Sequence, residues 1–136
     1  MSDVLFVCVH NAGRSQMAQA LFNRLAQERG LPLRAESAGT EPGQRVHANV
    51  VAAMREVGLD LSAKKPKLLT NDMVEKARRV ITIGCAVDEA SCPAIFIKNV
   101  GDWGLPDPRG KPLAEVQAIR DEIRLRVEAL IGTLAD

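Results

Sequence analysis

The chain has 136 residues, 46% of them hydrophobic and 26% charged, with a formal net charge of +1 at pH 7. That length suits one domain with a full core, and the near-even charge excludes a surface built to track nucleic acid or an anionic membrane. No run nears the roughly 20 apolar residues of a membrane span, and Met1-Ser2-Asp3, with a short apolar run broken at His10-Asn11, is not expected to act as a secretory signal.

A single domain over residues 1–136, in the cytoplasm, is therefore expected. Three cysteines in a reducing compartment are not expected to be structural staples, and the odd count suits catalytic or redox use.

In chain order, residues 4–9 form a continuous apolar run, as expected of a strand covered on both faces of a parallel sheet. From residue 14 to 29, Met17, Leu21 and Leu25 recur every fourth position beside Ala18 and Phe22, the stripe of a buried helix that Gly30 ends. A second strand is expected over 33–37, closed by Ala38-Gly39, and a helix over 46–57, stopped by Gly58. KKPK at 64–67 is the densest basic patch and reads as a solvated loop. Asn71-Asp72 is expected to cap a short helix over 73–78.

The β-branched run at 80–84 reads as a third strand and residues 94–97 as a fourth, followed by the loop NVGDWGLPDPRGKP. Leu113, Val116, Ile119, Ile123, Val127, Leu130 and Leu134 then mark a last helix. This alternation predicts an α/β fold, a parallel sheet with helices on both faces, whose ligands bind beyond the carboxyl ends of the strands. Cys8, Cys85 and the Asp107 loop all follow strands and are expected to meet at one sheet edge.

Three groups of residues carry chemistry. The first runs through Cys8, Val9, His10, Asn11, Ala12, Gly13, Arg14 and Ser15. A strand–loop–helix of this kind points backbone N–H groups inward and adds the positive end of a helix, a site for a tetrahedral oxyanion. Gly13 leaves the backbone free to turn, Asn11 suits a positive φ, and Arg14 can fork onto two oxygens. Those groups favour the thiolate of Cys8, and Ser15 can donate to its sulfur. Cys8 also reads as an ordinary buried cysteine at a strand end, and His10 as a simple loop residue.

The second group is Asp107-Pro108, in a loop stiffened by two prolines. A carboxyl beside a bound anion is kept protonated by the negative charge, as a general acid requires. A plain turn aspartate is the other reading, and Asp102 is the backup acid. The third group is Cys85 and Cys92, with six residues between them. Their spacing matches no zinc knuckle. They can bond if the loop rearranges, passing a disulfide on from Cys8, or they are two unrelated buried thiols.

Together these segments resemble the low-molecular-weight protein tyrosine phosphatase superfamily and, within it, the thioredoxin-coupled arsenate reductases. CVHNAGRSQMAQA resembles the family's anion loop and first helix, and ESAGT, VHANVVAAMREVGLDLS, VITIGC and DWGLPDP are similar to further family segments in the same order. The resemblance implies a four-stranded parallel sheet flanked by helices. It also implies Cys8 as nucleophile, Arg14 as oxyanion ligand, Ser15 and Asn11 as loop supports, Asp107 as acid, and Cys85 and Cys92 as a redox pair.

On that reading arsenate is reduced through a Cys8/Cys85/Cys92 relay that thioredoxin resets, with no metal or organic cofactor, in a monomer. The partners implied are an arsenate- or phosphate-like oxyanion and the thiol reductant. Arg109-Gly110 follows the Asp-Pro pair where phosphatases carry the aromatic residues of a phosphotyrosine pocket, and the chain has no Tyr. This favours a small inorganic anion. A phosphatase working through a phosphocysteine at Cys8 is the competing expectation, and a non-catalytic anion-binding module is a third.

Overall fold

The computed structural model describes residues 2–84 and 100–135. The N-terminal apolar run forms strand β1 (Ser2–Cys8), and the Met17/Leu21/Leu25 stripe forms helix α1 (Arg14–Glu28). Strand β2 (Ala35–Gly39), helix α2 (Ala48–Arg55), helix α3 (Asn71–Lys76), strand β3 (Ala77–Ile83), strand β4 (Val100–Trp103) and helix α4 (Leu113–Leu134) follow. The four strands form one sheet in the order β2-β1-β3-β4, and every neighbouring pair is parallel.

Alternation along the strands divides the core between two faces. Val4, Phe6, Ile81 and Ile83 face a cluster with Met17, Phe22, Met54, Ile123 and Val127 from α1, α2 and α4. Leu5, Val7 and Val80 face the opposite way and pack with Val74 of α3. Phe6 anchors the larger cluster, its ring 6.1 Å from Phe22 edge-on and 5.5 Å from Trp103. Such aromatic pairs add about 0.5–1.5 kcal/mol each beyond the area they bury. The α/β architecture with helices on both faces is thus as expected, and no helix among the described residues is long and apolar enough to cross a membrane.

Element ends depart from expectation for identifiable reasons. The second strand starts at Ala35 because Asn23 Oδ1 takes the Ala35 N–H at 2.8 Å, and it runs on to Gly39 opposite Cys8. The third strand starts at Ala77, directly after α3, since its first residues pair with Ser2 and Val4 of β1. Thr70, not Asn71-Asp72, caps α3, its Oγ1 accepting from the Met73 N–H at 3.2 Å.

Residues 100–103 were expected in a loop and instead form β4, held by pairing from Val80↔Val100 to Ile83↔Trp103. The strand expected at 94–97 lies outside the described residues. In α4 the expected stripe is buried from Val116 to Leu130, whereas Leu113 in the first turn is exposed.

The strand order decides where a ligand goes. The chain leaves β1 toward β2 on one side and later returns to β3 on the other. The connections diverge between β1 and β3, which opens a crevice at their carboxyl ends. Cys8 ends β1 there, and Gly84 follows β3.

Candidate active site

Cys8 is 3% exposed, and its Sγ lies 2.9 Å from Ser15 Oγ. The direction of that hydrogen bond follows from its neighbours. Lys67 N–H donates to Asn11 Oδ1 at 2.9 Å, so the Asn11 amide nitrogen faces Ser15 and donates to its oxygen at 2.7 Å. The single hydroxyl proton of Ser15 is then left for the sulfur. Gln16 Nε2 also donates to Asn11 Oδ1, at 3.1 Å, and reaches Lys65 O at 3.4 Å. Asn11 holds φ at +50°, a left-handed conformation that asparagine tolerates better than most residues, and both it and Ser15 are fully buried.

The carbonyls of the loop are turned outward. Val9, His10 and Ala12 accept from the N–H groups of Glu41, Gly43 and His47 at 2.8–2.9 Å. Among the described residues no backbone acceptor takes the N–H groups of His10 to Gly13 or of Ser15. Helix α1 begins at Arg14 with no side-chain cap and no acidic residue in its first turn. A loop with its carbonyls occupied, ending at an uncapped helix start, presents N–H donors and partial positive charge to an anion. Gly39 packs beneath it, where a Cβ would meet Val9 O at 2.6 Å.

Arg14 is 3% exposed and donates from Nη1 to Leu105 O at 2.8 Å, joining the anion loop to the Asp107 loop. Gly84 lies against the same guanidinium. Gly13 touches the Asp107 loop from the other side, since a Cβ there would stand 2.9 Å from Pro108 Cγ. Asp107 is half-buried, and its Oδ1 accepts from Arg109 N–H at 3.0 Å. The structure therefore brings Cys8, Arg14, Ser15 and the Asp107 loop to one sheet edge. Asp102 sits within β4, bonded to Thr82 Oγ1 across the strand pair. Cys85 and Cys92 lie outside the described residues, the last of which before them is Gly84, beside Arg14.

Two contributors escape a reading of the sequence. His47 precedes α2, its backbone holds Ala12 O, and its ring lies at the junction of the two loops. Burial foremost lowers its pKa below the ordinary 6.5, with Arg109 and His10 adding to the effect and Asp107 opposing it. Asn49 donates to Pro108 O at 2.8 Å and to Lys111 O at 3.1 Å. A polar pair at a helix start is the only local signal, because the partners are about 60 residues away. The basic 64–67 patch keeps its side chains largely exposed, as expected, yet its main chain braces Asn11. Among the described residues no group of three or more His, Cys, Asp or Glu could hold a metal.

The chain is similar to several known proteins. A Halobacterium salinarum protein provisionally named arsenate reductase is 41% identical over 124 residues, 90% of this chain and 85% of its own. Arsenate reductase 1 of Staphylococcus epidermidis is 38% identical over 127 residues, 92% of each chain. An arsenate reductase solved in a phosphate binding state superposes with a TM-score of 0.82 at 32% identity, covering 98% of both chains. The family model for low molecular weight phosphotyrosine protein phosphatase matches residues 3–136, and the chain belongs to that family.

Proposed function

We propose that this protein reduces arsenate to arsenite in the cytoplasm. Arg14 and the N–H groups of residues 9–15 hold the oxyanion over Cys8. The Cys8 thiolate bonds to arsenic while Asp107 protonates the departing oxygen, which leaves as water. Cys85 then attacks the Cys8 sulfur. An S–S bond forms, the As–S pair passes to arsenic, and As(V) leaves as arsenite. Cys92 attacks Cys85 in turn, freeing Cys8, and thioredoxin reduces the Cys85–Cys92 disulfide. Two thiols lose two electrons and arsenic gains two, with no metal or organic cofactor.

The observation that carries this reading is the buried Cys8 sulfur receiving its hydrogen bond from Ser15 beneath an outward-turned loop. The relatives named arsenate reductase support the choice of oxyanion. The aromatic residues support it too: Phe6 and Phe22 are wholly buried, and Trp103 packs on Phe6. Among the described residues only the half-buried Trp103 is left that could wall an aryl phosphate. The family match favours a second reading, phosphomonoester hydrolysis through a phosphocysteine at Cys8 with the same Arg14 and Asp107.

Peptide mapping after one arsenate turnover without reductant tests the relay. A Cys85–Cys92 disulfide is expected and its absence would overturn the relay; turnover only on adding a small thiol, with a mixed disulfide between it and Cys8, would replace thioredoxin in the scheme. Cys85→Ser should abolish reduction and spare any aryl-phosphate hydrolysis; undiminished reduction would sink the relay.

A further inference from the structure

The Asp107 loop belongs to no helix or strand; Arg109 N–H holds Asp107 Oδ1 at 3.0 Å from within it, and the loop itself is held from outside. Two clamps flank Asp107. On one side Arg14 Nη1 holds Leu105 O at 2.8 Å. On the other, Asn49 Nδ2 holds Pro108 O at 2.8 Å and Lys111 O at 3.1 Å. Both Asn49 acceptors are carbonyls, so the side chain must present its nitrogen and both N–H bonds are spent. Within the loop the Lys111 N–H to Pro108 O bond, at 3.0 Å, closes the same turn, beside the Arg109 N–H to Asp107 Oδ1 bond.

Asn49 stands two residues after His47, whose backbone N–H donates to Ala12 O of the anion loop at 2.9 Å. One turn of α2 thus grips the loop that receives the anion and the loop that carries the acid. We propose that Asn49 is a positioning residue, which fixes Asp107 at the height where it meets the leaving oxygen of the bound oxyanion. The inference rests on Asp107 acting as the acid, and it adds the group that aims it. A general acid depends on hydrogen-bond reach to its target, so a loop displaced by an ångström loses most of its effect.

Asn49→Asp keeps the shape and removes both donors. In the free protein, amide exchange at Arg109 and Lys111 should rise about 5- to 100-fold, the worth of two hydrogen bonds, while amides of α1 stay as they were. In arsenate turnover kcat should fall about 10-fold or more, with the dissociation constant for inorganic phosphate within about 2-fold of wild type. The decisive readout is the double variant. Because Asn49 acts through Asp107, Asn49→Asp in an Asp107→Asn background should cost almost nothing further.

Additive losses would reduce Asn49 to a structural role and overturn the proposal, as would unchanged exchange at Arg109 and Lys111. If the wild type turned over no arsenate, the functional reading would fall. The exchange and phosphate-binding measurements would still decide whether Asn49 holds the loop.

Discussion

Gly84→Ala isolates the part of the site that holds Arg14. Gly84 and Gly58 share a left-handed backbone, with φ of +79° and +80°. An L side chain at either position costs about 1–2 kcal/mol of strain. What surrounds them differs. A Cβ at Gly58 meets the Arg24 guanidinium at ordinary distances, Nη1 at 3.7 Å and Nη2 at 4.0 Å. A Cβ at Gly84 overlaps Arg14 Nη1 outright and stands 2.6 Å from its Cζ and 3.0 Å from Leu105 O.

Because the clash falls on the end of a flexible side chain, the fold can yield by swinging the guanidinium aside. That breaks the buried, charge-assisted bond to Leu105 O, worth about 1.5–3 kcal/mol. Gly58→Ala should therefore lose about 1–2 kcal/mol in urea unfolding, and Gly84→Ala about 3–5 kcal/mol. Calorimetry with inorganic phosphate should show Gly58→Ala binding like wild type and Gly84→Ala binding about 10- to 100-fold more weakly, since the fork has moved. A Gly84→Ala protein that binds phosphate normally, or loses no more stability than Gly58→Ala, would refute the claim that this glycine makes room for the anion ligand.

Two further perturbations probe the supports. Ser15→Ala removes the donor to Cys8 Sγ and leaves Asn11 Nδ2 without its acceptor in a fully buried setting, a cost of about 1–3 kcal/mol. Alkylation of Cys8 by iodoacetamide at neutral pH should slow about 5-fold or more if the hydroxyl stabilises the thiolate, so an unchanged rate would remove Ser15 from the chemistry. His47, held below 6.5 chiefly by burial, gives the fold a pH dependence. As the pH falls through about 6.5 the unfolded chain takes up this proton first, so stability declines from there until the folded group is protonated too. The wild-type urea midpoint should thus drop further between pH 7 and 5.5 than that of His47→Gln, and parallel curves would contradict the shift.

How much of this was legible follows from where each residue finds its partner. The anion loop is local: an apolar strand, a five-residue turn and an amphipathic helix are contiguous, so Cys8 and Arg14 could be read directly. Asp107 could be read only through the sheet topology that brings its loop to the same edge. Strand β4 could not, because Gly101 and Asp102 are poor strand formers and the pairing with β3 overrides them. The charge of the 64–67 patch identified its exposed side chains and concealed the main-chain N–H of Lys67, which orients Asn11 and through it Ser15. His47 and Asn49 act on groups distant in sequence, so periodicity and motif spacing pass over them.

The rigidity of the loop constrains the chemistry that the functional reading assigns to it. Cys8 is buried at the end of an inner strand, its sulfur tied to Ser15, Ser15 to Asn11, and Asn11 to the backbone of Lys67. The loop around it is pinned at Val9, His10 and Ala12 by three backbone bonds from residues 41–47. Moving the sulfur by several ångströms would break most of these at once. Hydrolysis needs no such motion, since water can reach a fixed phosphocysteine. Reduction by a relay requires sulfur to meet sulfur, so a second thiol has to meet Cys8 where it stands. The chain reaches Gly84 at the Arg14 guanidinium, one residue before Cys85. A fixed cradle thus suits oxyanion capture and hydrolysis directly, and a relay adds the demand that a second sulfur meet Cys8 in place.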